Sequence, residues 1–113
     1  MQFRKHHQIL IAFSVLLLTA CDTKKDQIYQ FARCVMATET VAGGSPGEVG
    51  IKTGQAVAQY QKDHGLDMNY EEIKGLAEKA RLEITGSPEL PAPAQVDRAK
   101  KIMISDQCKN ASS

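Results

Sequence analysis

The sequence predicts an all-α protein, a small three- to four-helix domain with one disulfide as its staple. Apolar residues recur at steps of three and four through four separate segments, which is the period of a helix with one buried face. The first three segments are closed by Gly, or by Gly with Pro soon after, as helix ends commonly are. No run sustains the period-two alternation of a half-buried strand. The chain has 113 residues, 24% of them charged, with a formal net charge of +1, so it holds at most one small domain. Aromatics make up 5% and Trp is absent, leaving Ile, Leu, Val, Ala and Met to build a thin core.

The first element lies outside that domain. "MQFRKHHQILIAFS" places Arg4 and Lys5 ahead of an apolar run from Ile9 to Ala20, interrupted only by Ser14 and Thr19. A basic start, an apolar stretch and small residues at its end are the order of a secretory signal. The run is shorter than the roughly 20 apolar residues of a finished membrane-spanning helix.

Leu18, Thr19, Ala20 and Cys21 resemble the lipobox of bacterial lipoprotein precursors: Leu, a small residue, Gly or Ala, then Cys. The resemblance implies that residues 1–20 are a signal peptide removed before Cys21. It also implies that Cys21 carries a diacylglycerol on its sulfur and an acyl chain on its new amino group. The membrane would then be the first partner, held by acyl chains whose buried methylenes contribute about 0.8 kcal/mol each. Asp22 directly follows that Cys. In lipoproteins of enteric bacteria this residue retains the protein at the inner membrane, so the periplasmic face of the inner membrane is expected over the outer membrane. The resemblance ends at Cys21 and says nothing of the domain beyond it.

Residues 21–26 then read as anchor and short tether, reaching about 10 to 17 Å at about 3.3 Å per extended residue. Removing Arg4 and Lys5 leaves a slightly acidic mature chain, which argues against a nucleic-acid surface. Cys34 and Cys108 remain, near opposite ends of a domain over 27–108. Export exposes them to an oxidising compartment, where pairing is the default. The closed loop of about 74 residues would stabilise the fold by roughly 4 kcal/mol. The alternatives, a redox centre or a metal ligand pair, lack a CxxC motif and further His or Cys.

The first helix is expected from Asp26 to about Ala42, with Ile28, Phe31, Ala32, Val35, Thr38 and Ala42 on one side, Cys34 on its flank, and Gly43 and Gly44 ending it. A second runs from about Glu48 or Lys52 to His64, facing inward through Thr53, Val57, Tyr60 and His64 and stopped by Gly65. The third runs from Asn69 to about Thr85. Asn69 and Glu72 have capping-box spacing, and Ile73, Leu76, Ala77, Ala80 and Ile84 form its stripe. Leu82 points off that stripe, as a contact for another helix or a partner. After the connector "GSPELPAPA" a last helix runs from about Ala94 to Asp106 or Gln107. It carries Val96, Ala99 and Met103 with Ile102 beside them, and Cys108 at its end. Residues 109–113 read as a disordered tail.

Chemistry is sparse. His64 lies beside Asp63 but has no assignable nucleophile, and a His closing a helix is favoured by the helix dipole. Glu71, Glu72, Glu78 and Glu83 sit among Lys74, Lys79 and Arg81 as solvated helix positions. Asp67, Asn69 and Glu71 lack the glycine and the final glutamate of a calcium loop. "GGSPGEVGIKTG" lacks the Gly-Lys-Ser/Thr ending of a phosphate loop and no strand precedes it. No catalytic residue, cofactor, metal or small-molecule substrate is assigned. The expected function is non-enzymatic: an anchored accessory or interaction protein of the envelope with a protein partner. The rival is a periplasmic inhibitor or exclusion factor that binds an enzyme or foreign machinery.

Overall fold

The computed structural model describes residues 23–111. The signal segment, Cys21 and Asp22 lie outside the described residues, as do 112–113. The described chain is all-α, with four long helices and a short fifth: α1 over 23–41, α2 Pro46–His64, α3 Tyr70–Thr85, α4 Ala92–Met103 and α5 Asp106–Ala111.

Helix α1 is already formed at residue 23, the first described residue and three before the expected start, so 23–26 are helix rather than tether. No Gly or Pro occurs between Asp22 and Ala42, and nothing interrupts propagation toward the N-terminus. Its neighbours alternate in direction. Phe31 stacks on Tyr60 with centroids 4.2 Å apart, and Glu39 pairs with Lys52 of the same helix at 3.2 Å, so α2 runs antiparallel to α1. Lys79 lies 4.7 Å over the Tyr29 ring and Arg33 pairs with Glu83, so α3 runs parallel to α1. Helices α4 and α5 return along it, and a Cys34–Cys108 disulfide joins the last helix to α1 with the Cα atoms 5.4 Å apart.

Being central, α1 buries two faces. Ile28 and Ala32 meet Val57 of α2, with Leu66, Met68 and Ile73 packed around them. Tyr29, Met36 and Ala37 meet Ala80, Ile84, Ala99 and Ile102 of α3 and α4, beside the disulfide. The single stripe read from the sequence covers only part of this. Thr38 and Ala42 of that stripe are exposed, whereas Met36 and Ala37 are buried.

Helix α2 starts earlier than its glycines suggest. The Ser45 hydroxyl accepts from the Glu48 N–H at 3.3 Å, and Pro46 stands in the first turn, where its missing N–H costs nothing. Thr53 and Val57 are buried as expected, Tyr60 is half-buried, and His64 is exposed. Gly65 ends the helix at φ 62°. Helix α3 follows its expected cap: Asn69 Oδ1 accepts from the Glu72 N–H at 2.9 Å. The Glu72 carboxylate takes the Asn69 side-chain amide instead of the backbone N–H.

The expected last helix divides. At Ser105 the hydroxyl donates to the Ile102 carbonyl at 2.6 Å, diverting the ladder, and the Ser105 carbonyl then accepts from the N–H groups of Cys108 and Lys109 at 3.1 Å. Cys108 therefore sits inside α5 rather than past a helix end. Residues 109–111, expected in a disordered tail, belong to that helix. Among the described residues no helix is long and apolar enough to cross a membrane.

Candidate functional site

The main concavity is a pocket of about 510 Å³ where four helix ends meet: the last turns of α1 and α3 and the first turns of α2 and α4. Two glycine turns shape it. Gly43, at φ 89°, reverses the chain after α1. A Cβ on Gly44 would lie 3.2 Å from the Glu39 carbonyl and 3.3 Å from Val49, so one there would press on both walls of the turn into α2. Across the pocket, Gly86 at φ 79° turns the chain after α3, and a Cβ there would strike Leu90 at 2.8 Å. The Leu90 N–H donates to the Thr85 carbonyl at 2.8 Å, and the Gln95 amide holds the Leu90 carbonyl at 2.7 Å. These bonds set Leu90 and α4 as the second wall.

The interior is apolar, with Met36, Val49, Ile84 and Leu90 among its walls. Gly50 also lines it, and a Cβ at Gly50 would meet nothing within 4 Å. Polar groups stand at the rim. The Arg81 guanidinium is held there by Glu78 through two hydrogen bonds of 3.0 and 2.5 Å. That contact draws the Glu78 carboxyl below its ordinary range and raises Arg81 above its own. Such a site suits an apolar group approached past mixed charge. Its volume lies in the range of small-ligand pockets, which is also the size of one or two large side chains.

A smaller hollow of about 310 Å³ lies against the disulfide, between Phe31 and Val35 of α1 and Met103 and Lys109. His64 lines neither pocket: its ring stacks on Tyr60 at 4.0 Å and its Nδ1 lies 2.9 Å from the Tyr60 carbonyl. Because that carbonyl can only accept, Nδ1 carries the proton and Nε2 faces solvent. Among the described residues no three His, Cys, Asp or Glu side chains converge as metal ligands.

Of the residues singled out from the sequence, Cys34 and Cys108 are brought together. Cys21 lies outside the described residues. The Gly-rich segment contributes Gly43, Gly44, Pro46, Val49 and Gly50 to the pocket, while Leu82, 41% exposed, stands outside it. Arg81 and Leu90 were missed because no local pattern marks them; only the fold brings their helix ends to the Gly-rich turn. No family model, curated protein or solved structure matches the chain.

Proposed function

We propose that the chain is a lipid-anchored, non-enzymatic interaction protein of the bacterial envelope. On this reading it is held through Cys21 at the periplasmic face of the inner membrane and uses the pocket to receive an apolar side chain of a protein partner. The observation that carries the reading is the polarity of α1. Its first described residue follows the lipobox-like Cys21 almost at once, and its last turn forms a pocket wall. Eighteen helical steps separate the two ends, about 27 Å at about 1.5 Å per residue. An anchor at one end would leave the pocket open to the periplasm at the other.

The test has two parts. Cys21→Ser should leave an unprocessed precursor that takes up no radiolabelled palmitate; normal labelling would sink the anchor. Gly50→Phe places a ring on the pocket lining from a position where the Cβ meets nothing within 4 Å, and should occupy the pocket. With in-cell crosslinking from the domain, that variant should lose the adducts that the wild-type chain forms with envelope proteins. Unchanged adducts would remove the pocket from the proposal.

A further inference from the structure

The end of the bundle opposite the pocket has a geometry of its own. The Ile28–Ala32–Val57 cluster gathers Leu66 and Met68 from the α2–α3 turn beside the first turns of α1. The parallel register of α1 and α3, set by Tyr29 with Lys79 and by Arg33 with Glu83, fixes how far α3 extends toward that end. From Glu83 back to Tyr70 is about 19 Å of helix, whereas from Arg33 back to residue 23 is about 15 Å. Tyr70 therefore reaches a few ångströms past residue 23, the first described residue of α1. It is 73% exposed, the most exposed large apolar side chain among the described residues.

From this we infer that Tyr70 and the α2–α3 turn rest in the headgroup layer of the bilayer, fixing the bundle upright on its anchor; the inference depends on lipidation at Cys21. Cys21 is two residues, at most about 7 Å of chain, from residue 23, so acyl chains on it would bring the lipid surface within reach of Tyr70. A phenol ring, with an apolar body and a polar tip, is suited to that boundary. The attachment is not electrostatic, because Lys24, Lys25 and Lys62 at this end are offset by Asp63, Asp67 and Glu71, all exposed. It should therefore hold on zwitterionic lipid and in high salt.

The chain contains no Trp, so one introduced indole reports alone. The processed protein carrying Tyr70→Trp, purified from membranes, is reconstituted into phosphatidylcholine vesicles with brominated acyl chains. The comparison is Ile51→Trp, at a residue 64% exposed near the pocket end. We expect a blue-shifted emission for Tyr70→Trp and at least about twofold stronger quenching than for Ile51→Trp, unchanged by salt. If the purified protein floats with the vesicles but the two variants are quenched equally, or neither is, the docking inference is wrong and the anchor stands. If mass spectrometry finds no lipid on Cys21, the anchor reading fails and the docked orientation falls with it.

Discussion

The two faces of α1 are built differently. Toward α3, α4 and α5 its residues join a cluster of nine buried residues, five of them from those helices, closed by a disulfide. Toward α2 they join a cluster of three, with Val57 the one buried member from α2, supplemented by half-buried side chains. Helix α2 also carries Gly47, Gly50 and Gly54, each with open space where a Cβ would stand. Each face buries one hydroxyl without a hydrogen-bond partner, Thr53 toward α2 and Tyr29 toward α3. The difference teaches that one sequence-local helix pair can be the weaker half of a fold whose stronger half is assembled from distant segments. Helix α2, a wall of the pocket, is therefore the long helix expected to open first.

The largest effect should come from the staple. Cys108→Ser frees a closed loop of 74 residues and should cost about 4 kcal/mol, read as a fall in the urea midpoint. A matched pair then tests the two faces directly. Ile84 and Ile28 are both buried, at 3% and 1% exposure. Truncation to Ala costs about 2–5 kcal/mol depending on how far the site can collapse. Ile84→Ala should fall near the top of that range and Ile28→Ala near the bottom, where Leu66 and Met68 can close in. Equal losses would erase the distinction between the faces. Hydrogen exchange should show the same asymmetry, with α2 amides opening while α1, α3 and α4 stay protected. Identical protection throughout would contradict it.

Two substitutions should strengthen the thin face. Thr53→Val keeps the shape and removes the unpartnered hydroxyl, for a gain of about 1 kcal/mol. Gly54→Ala adds a methyl into open space in the helix interior and should gain about 1 kcal/mol. A loss in either case, measured by thermal unfolding, would mean that α2 is packed more closely than its contacts indicate. The smallest effect concerns pH on the other face. Burial pushes the Glu83 carboxyl above its ordinary value of 4.5, so the folded protein favours the protonated form. That contribution is complete below the ordinary value and is lost as pH rises through the raised one. Glu83→Gln should flatten this part of the Tm profile; a steeper decline would show that pairing with Arg33 outweighs burial.

What could be read from the sequence followed how local its cause is. The cap at Asn69, the stop at Gly65 and the stripe of α3 each depend on residues within a few positions, and each is present. Ser45 with Glu48 is equally local, but the three glycines obscured it, since propensity argued against a helix that capping and packing support. The double burial of α1 was hidden because a periodic reading assumes one inward face. The break at Ser105 carries neither Gly nor Pro, and the pocket draws its walls from four separated helix ends, so neither has a contiguous signature.

The early start of α1 also sorts the thiols. In an extended precursor whose Cys21 sulfur is not yet alkylated, Cys21 is nearer to Cys34 than Cys108 is, and the shorter loop would close first by about 1.5 kcal/mol. Once α1 has formed, residue 23 and Cys34 stand about 16 Å apart along a rigid axis. The two residues back to Cys21 recover at most about 7 Å. The remaining gap exceeds the roughly 7 Å limit of Cα separation for a disulfide. Helix formation thus acts as a protecting group, holding Cys34 unspent until residue 108 arrives.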